Sequence, residues 1–170
     1  MEVAGYGVKN PDSKVAKMNE KTKVLVVDDE EIVCRSYLRS LAGARCNVQV
    51  AENGEQALYA LGQQRFDLVL LDLRMPGMDG MAVLRTIKQN WPETQVVIIT
   101  GYPSIETAKE AVRLGAYGYL AKPVGPIEVI NAANDAVMQK KWTLHSEHAA
   151  QDMGAGLRTG SRATGHSLAC

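Results

Sequence analysis

The chain has 170 residues, with 19 Lys+Arg against 19 Asp+Glu and a formal net charge of zero. That length suits one domain with a proper core, and the balanced charge gives no electrostatic case for nucleic acid or an anionic membrane as a partner. No apolar run is long enough to span a bilayer and the N-terminus lacks the apolar stretch of a signal peptide, so a cytoplasmic protein is expected. Cys34, Cys46 and Cys170 have no metal-ligand spacing and read as thiols in a reducing compartment.

Residues 1–21 mix Gly, Lys, Asn, Pro and Ser without a sustained period and predict a flexible leader, with Met18 an alternative start to Met1. Val24-Leu-Val-Val27 then reads as a strand, ending in Asp28-Asp-Glu-Glu31. Val33, Tyr37 and Leu41, with Cys34 and Leu38 beside them, give a helix over residues 30–42 that stops at Gly43. Asn47-Val-Gln-Val-Ala51 alternates as a half-buried strand does, and Asn53-Gly54 opens a short helix closed by Gly62.

Leu68-Val-Leu-Leu71 is apolar throughout, as a strand covered on both faces must be, and is followed by Asp72 and the Met75-Pro-Gly77 turn. A helix from about Gly80 to Gln89 ends at Trp91-Pro92. Gln95-Val-Val-Ile-Ile-Thr100 is a further buried strand, and Ser104 is placed to N-cap a helix from Ile105 to Leu114. Ala116-Tyr-Gly-Tyr-Leu120 predicts a short strand leading to Ala121-Lys-Pro123. A last helix carries Ile127, Ile130, Val137 and Met138 and ends near Trp142.

Five strands alternating with five helices through short loops predict an α/β fold with a parallel sheet over residues 22–142. Residues 143–170 lose the periodicity, are rich in Gly, Ser, Thr and Ala, and predict a disordered tail with no second, output domain.

Polar residues recur at the carboxyl ends of the first, third, fourth and fifth strands: Asp28 and Asp29, Asp72, Thr100, and Lys122. Open α/β sheets place their chemistry there. Singly, each has a plain reading: a helix-capping pair, a strand-end carboxylate, an ordinary threonine, a solvated lysine. Their recurrence on one sheet favours a site. Three clustered carboxylates repel, and a hard divalent cation relieves that repulsion. With a lysine and a hydroxyl added, such a pocket suits phosphoryl transfer onto Asp72.

Leu25-Val-Val-Asp-Asp29, Leu71-Asp-Leu-Arg-Met-Pro-Gly-Met-Asp-Gly80, Ile99-Thr-Gly101 and Tyr119-Leu-Ala-Lys-Pro123 resemble the receiver domain of bacterial two-component response regulators over about residues 22–141. The Thr-Gly-Tyr-Pro-Ser loop is most similar to receivers of nitrogen-regulatory, sigma-54-activator type. The resemblance implies a flavodoxin-like, doubly wound five-stranded sheet of order 2-1-3-4-5. It implies Asp72 as phosphoacceptor from a sensor histidine kinase. It further implies Mg²⁺, with Mn²⁺ as a substitute, on Asp29, Asp72 and the Arg74 carbonyl, and Asp28 acting through water. Thr100 and Lys122 would bind phosphoryl oxygens, Tyr119 would be the aromatic switch, and a cis peptide would join Lys122 to Pro123. Arg74, Gly101 and Tyr102 would tune water access, hence phosphoryl lifetime.

Tyr117-Gly118 stands where many DNA-binding receivers carry two aspartates, and Val124 where phenylalanine is common, which argues against the ion-paired dimer of winged-helix regulators. The expected role is a stand-alone receiver that catalyses only its own phosphorylation and dephosphorylation. It would signal to an output protein through the fourth helix, fifth strand and fifth helix, without binding nucleic acid directly. Alternatives are a relay intermediate serving a histidine phosphotransfer protein, a fragment of a sigma-54-type activator, a homodimer, an aspartyl-phosphate phosphatase, or a scaffold that has lost phosphorylation. The haloacid-dehalogenase pattern of Asp-x-Asp at the first strand is not offered by Asp28-Asp29-Glu30.

Overall fold

The computed structural model describes residues 21–42 and 45–156. Residues 1–20 of the expected leader, both candidate start residues, Gly43, Cys170 and the last part of the expected tail lie outside them. The elements are β1 (Thr22–Val27), α1 (Glu31–Ala42), β2 (Cys46–Ala51), α2 (Gly54–Gln63) and β3 (Leu68–Leu71). They continue as α3 (Gly80–Asn90), β4 (Gln95–Thr100), α4 (Ile105–Arg113), β5 (Gly118–Ala121) and α5 (Pro126–Gly156). The strands are all parallel, in the order β2-β1-β3-β4-β5. That is the doubly wound fold the sequence predicts.

Alternate residues of a strand point to opposite faces, so each buried strand feeds two cores. Leu25, Val27, Val69, Leu71, Val96 and Ile98 face α2, α3 and α4, meeting Ala57, Leu61, Leu84, Ile87 and Ala111. Val24, Val26, Leu68, Leu70, Val97 and Ile99 face α1 and α5, meeting Cys34, Tyr37, Leu41, Val129 and Ala133. Burying each large aliphatic side chain contributes about 1.5 to 3 kcal/mol. The register follows from this. A slip of one residue on any central strand would exchange its two sets of side chains between cores shaped for different partners.

The register also aligns the strand ends. Val27 pairs with Leu71 and Leu71 with Ile98, while Thr100 pairs with Ala121. The ladder runs one step past the strands: the Asp72 N–H donates to the Val27 carbonyl at 2.9 Å, and the Lys122 N–H to the Thr100 carbonyl at 2.8 Å. Asp28 likewise donates its N–H to the Ala51 carbonyl at 3.1 Å. The chemistry-bearing residues are therefore held by sheet hydrogen bonds, not by free loops.

Three elements differ from the sequence reading. The second helix does not close at Gly62 but runs to Gln63, and its last bond goes from the Gln64 N–H to the Ala60 carbonyl. One exposed glycine costs only about 1 kcal/mol, less than the burial of Leu61 returns. The fifth strand starts at Gly118 and not at Ala116. The Ala116 N–H turns back to the Ala111 carbonyl of the preceding helix, so that residue belongs to the turn.

The last helix does not end near Trp142; it continues to Gly156, through the first half of the expected tail. Its buried face is Val129, Ala133, Ala136 and Val137, whereas Ile127 and Met138 are 72% and 68% exposed. Small alanines let α5 lie close to the sheet, and a stripe of small residues is easily overlooked beside larger exposed ones. Helical hydrogen bonding does not itself require an apolar stripe. The loss of periodicity did not mark the end of the helix.

Candidate functional site

The end of β3 delivers Asp72 at 5% exposure, and the end of β1 delivers Asp28 at 2%, with Asp29 exposed beside it. One carboxylate oxygen from each of Asp28, Asp29 and Asp72 lies within 4.8 Å of the others. From the end of β5, the Lys122 ammonium reaches Asp28 Oδ2 at 2.7 Å and Asp72 Oδ2 at 2.8 Å. It also lies 3.4 Å from Glu30 Oε1. The peptide bond between Lys122 and Pro123 is cis, as expected.

The remaining carboxylate oxygens are aimed by the backbone. Asp72 Oδ1 accepts from the Arg74 N–H at 3.1 Å, and Asp28 Oδ1 from the Glu30 N–H at 3.0 Å. The chain then turns through Gly77, whose φ of 87° lies in the left-handed region that glycine occupies without penalty. Asp79 caps α3, accepting from the Met81 N–H at 3.3 Å. Gly80 lets that helix touch the site strand directly: a Cβ there would stand 2.5 Å from the Asp72 carbonyl oxygen and 2.6 Å from Leu73 Cα.

Burial alone would lower the Lys122 pKa, but hydrogen bonds to Asp28 and Asp72 outweigh it and hold the ammonium above its ordinary value. Asp28 goes the other way for a carboxylate. Burial raises its pKa, and the nearby Asp72 charge adds to that, more than the Lys122 and Glu30 hydrogen bonds lower it. Asp28 is the more deeply buried partner and also faces a like charge. One ammonium for two buried carboxylates leaves the site with surplus negative charge.

Thr100 is fully buried, and its Oγ1 accepts from the Tyr102 N–H at 3.2 Å. The Arg74 guanidinium sits 5.5 Å from the centre of the Tyr102 ring, so the two residues expected to govern water access stack on one another. A Cβ on Gly101 would meet nothing within 4 Å, which leaves that side of the mouth open. Tyr119 is partly buried, and its hydroxyl bonds the Thr107 hydroxyl of α4 at 2.7 Å.

Asp28, Asp29, Asp72 and Lys122 thus share one pocket, with Thr100 on the adjoining strand end. Three participants escape the sequence reading. Glu30 is the third partner of Lys122, Thr107 is the partner of Tyr119, and the Cys34 thiol donates to the Asp28 carbonyl at 3.3 Å. Thr107 had a signal: it stands three residues after Ser104, where a capping box places its second member, and the box is formed. Glu30 and Cys34 had none beyond their nearness to Asp28.

Oxygen donors alone at that spacing are what a hard divalent cation such as Mg²⁺ takes, so the acidic cluster fits one. Among the described residues, no helix is long and apolar enough to cross a membrane.

Residues 24–134 match the family model of the response regulator receiver domain. The chain is 45% identical over 106 residues to the transcriptional regulatory protein ZraR of Escherichia coli K12, a match covering 62% of this chain and 24% of that protein. It is 40% identical over 114 residues to the DNA-binding transcriptional regulator NtrC of Salmonella typhimurium, covering 67% and 24%. Among solved structures, the receiver domain of NtrX from Brucella abortus superposes with a TM-score of 0.64 at 36% identity, over 68% of this chain and 98% of that one. The chain spans about a quarter of the length of the curated relatives it matches.

Proposed function

Since this chain belongs to the response regulator receiver domain family, we propose that it is a phosphorylation-controlled switch whose phosphoacceptor is Asp72. The observation that carries the reading is the Lys122 ammonium held between Asp28 and Asp72, at 2.7 and 2.8 Å, on a sheet edge that also presents Thr100. This is a pocket with a nucleophile, a fixed cation and a hydroxyl.

The donor is a phosphohistidine of a sensor kinase. An Asp72 oxygen attacks phosphorus, the P–N bond breaks, and its electron pair stays on the imidazole nitrogen. Backbone hydrogen bonding from Arg74 holds Asp72 Oδ1, which leaves Oδ2, the oxygen paired with Lys122, to react. Lys122 meets the charge that gathers on the moving phosphoryl oxygens, and the Thr100 hydroxyl donates to one of them. Asp29, Asp72 and the Arg74 carbonyl, with Asp28 acting through water, would hold Mg²⁺, which would supply further positive charge to the pocket. Arg74 and Tyr102, stacked at the mouth, limit the water that later hydrolyses the acyl phosphate.

The phosphoryl group adds nearly two negative charges and three strong acceptors. Drawing Thr100 toward it relieves Thr100's bond from the Tyr102 N–H and reshapes the space beside Tyr119, biasing the packing of α4, β5 and α5. That face is where an output protein or histidine phosphotransfer protein docks. The domain turns over no other substrate and works in the cytoplasm. Its kinship with ZraR and NtrC supports a place in sigma-54-type control, the receiver being one module of that pathway.

The test is incubation with acetyl phosphate and Mg²⁺, followed by intact-mass measurement. The wild type gains one acid-labile, hydroxylamine-sensitive phosphoryl group and Asp72→Asn gains none; equal labelling of the two would overturn the assignment.

A further inference from the structure

Glu30 is bound into the pocket twice. Its N–H donates to Asp28 Oδ1 at 3.0 Å, and its carboxylate stands 3.4 Å from the Lys122 ammonium. Its own carbonyl accepts the first α1 bond, from the Cys34 N–H at 3.0 Å, so the backbone that carries the side chain is fixed on both sides. An acidic residue at a helix start is common for dipole reasons alone. The contact with Lys122 gives it a second role.

An ammonium has three N–H donors and no more. Hydrogen bonds to Asp72 and Glu30 and the ion pair with Asp28 set three carboxylates around this one ammonium. When Lys122 turns toward a phosphoryl oxygen, the contact it gives up most easily is the longest and most exposed one. The Asp28 and Asp72 contacts are short and buried, whereas Glu30 is the most distant of the three and its side chain is 64% exposed. Water takes its place at little cost. Once released, the Glu30 carboxylate remains at the rim, facing the new negative charge across a few ångströms of solvent.

We propose that Glu30 is a positioning residue acting through Lys122: it restrains the ammonium in the unphosphorylated pocket and opposes the phosphoryl charge once that charge is on Asp72. It thereby sets how readily the pocket fills and how long it stays filled. This inference rests on the phosphoreceiver reading and would fall with it, but it makes a separate prediction.

The experiment uses the full chain, with beryllofluoride as the phosphoryl mimic, at saturating Mg²⁺ and low ionic strength, followed by fluorine NMR of the bound species. Glu30→Gln and Glu30→Ala are expected to lower the midpoint by about twofold to fivefold, the size of a solvent-screened charge interaction. Raising the salt brings the wild type toward the variants, because the repulsion being removed is screened; a purely structural role would leave that salt dependence unchanged. After labelling with acetyl phosphate, both variants lose phosphoryl more slowly than the wild type. Unchanged or raised midpoints in both variants overturn the role of Glu30. A wild type that binds no beryllofluoride overturns the receiver reading instead.

Discussion

The Tyr119 hydroxyl and the Thr107 hydroxyl lie 2.7 Å apart, joining the edge strand β5 to the first turn of α4. Thr107 is already the second member of a capping box, with its N–H donating to Ser104 Oγ at 3.1 Å and its Oγ1 accepting from the Ser104 N–H at 3.3 Å. One hydroxyl therefore secures both the start of α4 and the aromatic residue expected to switch.

A partly buried neutral hydrogen bond contributes about 0.5 to 1.5 kcal/mol. Tyr119→Phe is expected to cost about that much in urea unfolding, and Thr107→Val more, since it also removes the cap. The double variant should cost less than the sum, with the shortfall equal to the shared bond. Strict additivity would show that the two hydroxyls do not interact in solution.

Gly80→Ala should destabilise the fold by about 1 to 3 kcal/mol, as overpacking does, because its methyl would stand 2.5 Å from the Asp72 carbonyl oxygen. The atoms in the way are backbone and cannot rotate aside. The same shift misplaces the nucleophile, so the rate of labelling by acetyl phosphate should fall along with the unfolding midpoint. A loss of stability with full labelling would mean that α3, and not the Asp72 strand, yields.

Burial raises the Asp28 pKa first of all, so its charged form is disfavoured in the folded state. Such a group contributes stability below its unfolded pKa and loses it as pH rises through the folded value. At neutral pH the Asp28 charge is therefore a burden without metal. Asp28→Asn should raise the melting temperature in EDTA, and added Mg²⁺ should stabilise the wild type more than the variant. Equal Mg²⁺ stabilisation of both would remove Asp28 from the metal site.

Burial pushes the Cys34 thiol up from 9.0 to about 11 and the Tyr37 phenol from 10.0 to about 12. Both raised values mean that stability is complete below the unfolded pKa and drains away as pH climbs through the folded one. The unfolding free energy should fall between about pH 9 and 12, with each group accounting for about 2 to 3 kcal/mol at full ionisation. Tyr37→Phe should flatten the upper part of that slope in urea titrations run pH by pH. An identical slope in the variant would place the alkaline sensitivity elsewhere.

The pocket was legible in the sequence because each of its main members follows an apolar run. Asp28, Asp72 and Thr100 each close or follow a strand whose burial is written in consecutive aliphatic residues, Lys122 follows the half-buried β5, and parallel pairing brings such ends together. Glu30 was not legible, since an acid after Asp28-Asp29 looks like a helix start whether or not a lysine comes near. Nor was the true face of α5, because Ala133 and Ala136 bury less apolar area than Ile127 and Met138 display.

By itself, then, the sequence determined the alternation of elements, the two-faced strands and the set of residues at their carboxyl ends, since burial and period are local properties of a chain. Only the tertiary structure decided who touches whom. That Lys122 bridges Asp28 and Asp72 instead of pointing into solvent, that Glu30 reaches the same ammonium, and that Tyr119 bonds Thr107 depend on side chains 12 to 94 positions apart. Contacts at such separations follow from strand register and helix docking, which no local pattern records.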